Sequence, residues 1–168
     1  MKKTSIHLAI SGLLWILACS TAGSGSGIKS AGGSWTVNSV TYQAVVCAAN
    51  MYGNAGTLTA QNQTVATSAG GFSLLVCSFY KALPVTSGTY LVINGNKNPA
   101  AANQVAFVAD VNGLTGTGYA STGGKGHETV TVTVAGGKVS IAGTGITIAI
   151  PAKPANSTTL SLNITQTQ

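Results

Sequence analysis

From residue 35 onward, apolar and polar side chains alternate in short stretches that are separated by clusters of glycine, asparagine and proline. The clearest stretch is ETVTVTV at residues 128–134. Alternation at period two is typical of a β-strand with one buried face. No segment between residues 35 and 168 repeats its apolar positions at the helical period over ten residues. The sequence therefore predicts an all-β domain over residues 35–168.

A pair of glycines, Gly136-Gly137, separates two alternating segments and predicts a β-hairpin. Glycine at both central positions suits the positive φ angles of a type I′ turn. With such a turn, Val134 lies opposite Val139. Val132 then lies opposite Ile141, so that both strands place their apolar side chains on the same face of the hairpin.

The apolar positions change parity after Ile141, because Ile146, Ile148 and Ile150 continue the alternation on even numbers. The change falls within residues 142–145, which read AGTG. Glycine inside a strand often marks a bulge or a sharp bend. We therefore expect a bulge or kink here, where the strand passes to another sheet.

The spacing of the strands indicates the architecture. Eight or nine short strands within about 135 residues are typical of a two-sheet antiparallel β-sandwich or of a closed barrel. The sequence favours the sandwich, with a closed or partly closed β-barrel as the alternative. Further strands are predicted near residues 35–48, 56–60, 72–80, 89–94, 103–111, 114–121 and 159–165.

The beginning of the chain has the layout of a secretory signal peptide. Lys2 and Lys3 precede an apolar run at residues 6–18, after which the sequence becomes rich in serine and glycine. The run has 13 residues, whereas a helix needs about 20 to span the hydrocarbon layer of a membrane. We therefore expect residues 1–18 to form a signal-peptide helix that directs export.

The apolar run ends in Ile16-Leu17-Ala18-Cys19, which resembles the lipobox of bacterial lipoproteins. The resemblance implies that Cys19 becomes the first mature residue and carries a thioether-linked diacylglycerol and an acylated amine, palmitate among the acyl chains. Ser20 in the next position is similar to the family's default for the outer membrane. Leu17 is bulkier than the residues most common at its position, which leaves the alternative of cleavage after Ala22 and release as a secreted or periplasmic soluble protein.

Residues 19–34 are expected to form a flexible linker behind the lipidated cysteine. They are dominated by glycine and serine and show no apolar periodicity. A Gly/Ser chain of 15 residues has a root-mean-square reach of roughly 20 to 23 Å. Beyond the lipobox, the chain resembles small, uncharacterised β-rich envelope lipoproteins, and that resemblance implies no function.

Two further cysteines, Cys47 and Cys77, lie in predicted strands. In an exported protein they could form a disulfide. On the loop-entropy model, that bridge would contribute roughly 3 to 4 kcal/mol to stability. The alternative is two buried free thiols, and sequence does not supply the distance that decides between them.

The charged residues argue against several classes of function. The chain has eight lysines, no arginine and two acidic residues among only 6% charged residues. Arginine is the usual donor of bidentate contacts to phosphates and bases, and the six lysines that remain after residue 18 are scattered along the sequence. We therefore expect no nucleic-acid partner.

Asp110 and Glu128 are the only acidic residues, so they are the only carboxylate pair that a glycosidase mechanism could use. Asp110 precedes a turn sequence and Glu128 opens a strand, and both positions have ordinary structural explanations. His127 next to Glu128 could in principle ligate a metal, but adjacent strand residues point to opposite faces. The sequence therefore favours a non-enzymatic protein with no metal and no cofactor.

The function predicted from the sequence is a non-enzymatic, membrane-anchored lipoprotein of the bacterial cell envelope, acting as a structural or binding module. Its membrane lipid contact is the acylated Cys19, and the sequence identifies no protein or glycan partner. The alternatives are a small glycan- or lipid-binding module and a hydrolase that uses Asp110 and Glu128. Several tyrosines exposed on one face, or an apolar cavity, would favour the binding module. The aromatic residues that could form such a face are Trp35, Tyr42, Tyr52, Tyr80, Tyr90 and Tyr119.

Overall fold

The computed structural model describes residues 32–63, 71–112 and 117–168. These residues form eleven strands and one 3₁₀ turn at Gly124–Gly126. The strands are β1 (Gly33–Val37), β2 (Val40–Gln43), β3 (Val46–Tyr52), β4 (Ala55–Gln61), β5 (Leu74–Tyr80), β6 (Gly88–Ile93), β7 (Gln104–Val111), β8 (Thr117–Ser121), β9 (Thr129–Ala135), β10 (Lys138–Ile150) and β11 (Lys153–Thr165). The prediction of an all-β domain is confirmed.

Five of the strands close into a barrel. β9 pairs with β6 and β10, β7 pairs with β6 and β8, and β8 pairs with β10. This part of the fold is therefore the closed barrel that was the alternative prediction from the sequence. One pair departs from the antiparallel expectation, because β6 and β7 run parallel. The 94–103 connection lets the chain return to the beginning of β6 before β7 starts.

The predicted β-hairpin is present, and it joins β9 to β10. Its turn glycines have φ angles of 57° at Gly136 and 74° at Gly137. Val134 pairs with Val139 as predicted from the alternation. The same register places Val132 and Ile141 in the buried core.

The predicted irregularity in β10 is also present, and it is what allows the ring to close. The pairing of β10 with β11 shifts between Gly143 and Ile146, and Gly145 has a φ of 68°. One edge of β10 pairs with β11. The other edge pairs with β9 up to Ala142 and with β8 from Ile148 onward. The extra residues turn the strand away from one neighbour and toward the next.

The remaining strands extend the sheet on both sides of the barrel. β5, β4 and β3 follow β7, while β11, β1 and β2 follow β10. The segment after β11 links the two extensions, since the Thr167 N–H donates to the Cys47 carbonyl at 2.7 Å. The Cys47 N–H in turn donates to the Thr167 hydroxyl at 3.0 Å. One continuous apolar core, with Trp35, Phe79 and Phe107 among its largest members, fills the space inside.

The structure differs from the predicted elements at two places. The predicted strand at 35–48 is divided into β1, β2 and the start of β3, because Asn38 and Ser39 adopt positive φ angles of 49° and 65° and reverse the chain. The predicted strand at 159–165 is longer than expected, because β11 already begins at Lys153. The predicted signal helix at 1–18, Cys19 and most of the linker lie outside the described residues.

Candidate functional site

The two acidic residues predicted as a possible catalytic pair lie on different parts of the barrel. Asp110 pairs with Gly118 on β8. Glu128 is linked to the other end of β8, because its Oε1 accepts from the Thr147 N–H at 2.9 Å and the Thr147 carbonyl accepts from the Thr122 N–H at 3.0 Å. Gly118 and Thr122 are four residues apart, which is about 13 Å along an extended chain. Glycosidase carboxyl groups lie about 5 to 9.5 Å apart, so this arrangement gives no support to the hydrolase alternative.

Glu128 lies directly beneath the 3₁₀ turn. The Thr147 hydroxyl also donates to its Oε1, while its Oε2 is buried and has no hydrogen-bond partner in the described part of the chain. A Cβ on Gly124 would lie 2.1 Å from the Glu128 Cδ, so a larger residue here would have to displace the Glu128 side chain. Across residues 32–63, 71–112 and 117–168, no cluster of three or more His, Cys, Asp or Glu side chains could hold a metal ion.

Asp110 is partly buried where β7 lies between β5 and β8. Burial raises the pKa of the Asp110 carboxyl above its usual value, because the charged form loses hydration. A carboxyl whose pKa is higher in the folded than in the unfolded protein binds more protons when folded. Stability is therefore greatest below the unfolded pKa and falls as the pH rises through the folded pKa.

We expect Asp110→Asn to remove this pH dependence. The wild-type protein should lose stability as the pH rises from about 4 toward neutrality, and the variant should lose less. Urea unfolding of both proteins at several pH values measures the difference in free energy of unfolding between them. An identical pH slope in the two proteins would contradict the assignment to Asp110.

Cys47 and Cys77 are free, buried thiols in the structure. They lie on β3 and β5, with β4 between them, and Cys77 pairs with Leu58 while Cys47 pairs with Ala60. Burial raises the pKa of Cys47 to about 12 and raises that of Cys77 as well, where the nearby Cys47 adds a smaller effect. Both thiols are therefore held in the protonated, unreactive form.

The native protein is expected to resist a thiol reagent such as dithionitrobenzoate at pH 8. After unfolding without reductant, Cys47 and Cys77 should both react, giving two thiols when Cys19 is blocked by lipid. Matched samples that are treated with reductant before unfolding give the total number of thiols for comparison. If unfolding releases thiols only after reduction, the disulfide considered from the sequence is the correct state.

The aromatic residues divide into core and surface groups. Trp35 is buried and stacks on Tyr42 with ring centroids 5.4 Å apart. Tyr90 is buried against Phe79, and Tyr119 packs against the same core. Tyr52 is 59% exposed and Tyr80 is half-buried. Tyr42 and Tyr119 are likewise only partly buried, so Tyr52 is the most exposed of the six rings.

Tyr52 and Tyr80 lie at the same end of the sheet. Tyr52 pairs with Ala55, and Ala55 pairs with Tyr80, so all three side chains share one face. Two strand spacings separate the tyrosines, about 10 Å. Next to them lies an open groove of about 490 Å³, lined by Met51, Gly53, Asn54, Ala55, Tyr80, Lys81, Asn98 and Pro99.

A second depression of about 380 Å³ adjoins the first, and Asn98 lines both. Its polar wall contains Asn94, Lys97, Gln104 and Thr122. We call the two depressions together the distal groove. Their walls contain two lysines and no carboxylate.

Lys81 has an unusual backbone conformation, with a φ of 61°. Left-handed φ angles are uncommon for residues other than glycine and concentrate at functional sites. The turn is closed by the Ala82 N–H, which donates to the Tyr80 carbonyl at 2.7 Å. This conformation holds the Lys81 ammonium 5.0 Å from the centre of the Tyr80 ring, within the range of a cation–π contact.

Tyr52 and Tyr80 were two of six aromatic candidates for an exposed face, and the groove itself was not predicted from the sequence. The lysines are scattered along the sequence, whereas the fold brings Lys81 and Lys97 to the two parts of the same groove. The only local signal was the run of amides and lysine at residues 94–98, NGNKN. Such a run is equally typical of an ordinary turn.

Comparison with known proteins identifies no relatives: no family model, no curated protein and no solved structure matches the chain. In the described part of the chain, no helix has the length and apolar character needed to cross a membrane.

Proposed function

We propose that the protein is a non-enzymatic lipoprotein of the bacterial cell envelope, anchored in the outer membrane through Cys19, whose β domain acts as a binding module. The observation that carries the proposal is the Ile16-Leu17-Ala18-Cys19 sequence at the end of a signal-peptide-like run. Each buried methylene of an acyl chain contributes about 0.8 kcal/mol, so two or three chains give stable attachment. The domain then needs no membrane-binding surface of its own.

The place where the linker enters the domain supports a binding role. Gly32 is fixed next to β3, since its N–H donates to the Ala44 carbonyl at 3.1 Å and its carbonyl accepts from the Thr165 N–H at 3.0 Å. A Cβ added to Gly32 would contact the Cys47 side chain. The distal groove begins at Met51 and Gly53, at the other end of β3. From Cys47 to Tyr52 the strand extends about 17 Å, so the groove lies at the end of β3 that is farther from Gly32.

Exposed side chains at the end of β3, beside the distal groove, favour a binding module over a purely structural one. Met51 is 63% exposed and Tyr52 is 59% exposed. Exposed methionine and aromatic side chains are typical of ligand and partner sites, and these two flank the end of β3 on opposite faces of the strand. Tyr52 and the half-buried Tyr80 share one face of the sheet, which is fewer than the several exposed tyrosines that would mark the binding alternative.

Metabolic labelling with palmitate tests the anchor. A bacterium expressing the full chain should incorporate label into the protein, and detergent should be required to extract it from envelopes. Absence of label together with release in buffer alone would overturn the proposal and would favour cleavage after Ala22.

A further inference from the structure

We infer that the distal groove binds an anionic glycan, a chain of sugar rings that bears carboxylate or phosphate groups. The inference deepens the proposed binding role and rests on it. It is carried by the combination of two lysines, one half-buried tyrosine and side-chain amides around two adjoining depressions whose linings contain no carboxylate.

The charge of the groove favours an anionic ligand. Lys81 and Lys97 are exposed and line its two depressions. The Asp110 carboxylate is distant, because Asp110 pairs with Leu74 at the opposite end of β5 from Tyr80, about 20 Å along the strand. The Glu128 carboxylate is not part of either wall and accepts hydrogen bonds from Thr147. The two ammonium groups therefore face the solvent without a neutralising partner in either wall.

The other groups in the groove fit sugar rings. Tyrosine rings pack against the apolar faces of sugars, and amides both donate and accept hydrogen bonds as sugar hydroxyls require. Tyr80 lines the groove, and Tyr52 lies on the same face two strands away. Asn54 and Asn98 are exposed along the same depression. An anionic glycan uses these groups together with the lysines.

The loop that carries Lys97 is held in place before any ligand arrives. The Asn94 side-chain oxygen accepts from the Asn96 N–H at 2.9 Å, and the Asn94 carbonyl accepts from the Lys97 N–H at 3.0 Å. The Gln104 side chain accepts from the Ala100 N–H at 2.8 Å. A loop that is already ordered loses little entropy on binding. This supports a ligand site rather than an unconstrained surface turn.

Affinity electrophoresis in a nonionic detergent tests the inference on the full chain as it is purified from envelopes. The gels contain polygalacturonate, poly(glycerol phosphate) or neutral dextran of matched length. We expect one or both anionic polymers to retard the protein and dextran to leave it unretarded. Retardation by polygalacturonate alone would show that the groove recognises carboxylate groups. Retardation by poly(glycerol phosphate) alone would show that it recognises phosphate groups. Retardation by neither polymer, or equal retardation by dextran, would overturn the inference.

Substitutions locate the site. Lys81→Asn is suitable because asparagine tolerates the left-handed conformation at this position, and Lys97→Gln keeps a polar side chain. Each should weaken binding three- to tenfold and reduce its dependence on salt. The matched control is Lys153→Gln, which removes the same charge outside the groove and should leave binding unchanged. Equal losses in all three variants would show diffuse attraction and contradict the groove. The intact mass of the same preparation reports on the anchor separately.

Discussion

Gly56→Ala is expected to destabilise the domain by at least about 3 kcal/mol, an effect at the upper end for overpacked sites. A Cβ at this position would lie 2.2 Å from the Ala82 carbonyl carbon and 2.2 Å from the Leu83 nitrogen. Both are backbone atoms, so no side-chain rotation relieves the overlap. Leu83 packs against the core, and moving its backbone would disturb that contact. A typical domain has only about 5 to 15 kcal/mol of stability to lose.

The matched control is Gly88→Ala, a glycine-to-alanine change in β6. Its Cβ would lie 3.8 Å from the Tyr90 Cε2, which is an ordinary van der Waals distance. We expect this variant to unfold within about 1 kcal/mol of the wild type. Urea unfolding followed by the fluorescence of the buried Trp35 compares the three proteins. Similar midpoints for both variants would contradict the close approach of residues 82–83 to β4.

Cys19→Ala is expected to abolish palmitate incorporation completely. The thioether that the lipobox resemblance implies requires the Cys19 sulfur, and alanine provides no nucleophile to form it. The effect should be all or none, since the remaining cysteines, Cys47 and Cys77, are buried. Fluorography of labelled cells, normalised to the amount of protein, measures the change.

Ala22→Leu provides the control for this experiment. The alternative cleavage after Ala22 depends on small residues next to the cleaved bond, whereas attachment through Cys19 does not. The variant should therefore keep its label and its size. A variant that retains residues 1–22 while wild-type protein is released would favour the soluble alternative.

The local features of the fold could be predicted from the sequence because they depend on neighbouring residues. Alternation indicated the buried face of strands such as β9, Gly136-Gly137 indicated the register of one hairpin, and the change of parity after Ile141 located the bulge. The closure of the ring could not be predicted in this way. The parallel pairing of β6 with β7 and the partner change of β10 are contacts between distant segments, which leave little trace in a single sequence.

The candidate site shows the same division between local and distant information. The tyrosines could be named because aromatic residues in a polar sequence are conspicuous. Lys81 and Lys97 could not be grouped, since 81 and 97 lie in different turns and only Asn98 connects the two depressions. The left-handed conformation of Lys81 was also unpredictable, because lysine has no preference for positive φ.

The intact mass of the mature protein tests the central claim most directly. We predict the mass of a chain that begins at Cys19 and carries a diacylglyceryl group and an amide-linked acyl chain. The mass of an unmodified chain that begins at Gly23, or of the whole 168-residue chain, would contradict attachment through Cys19.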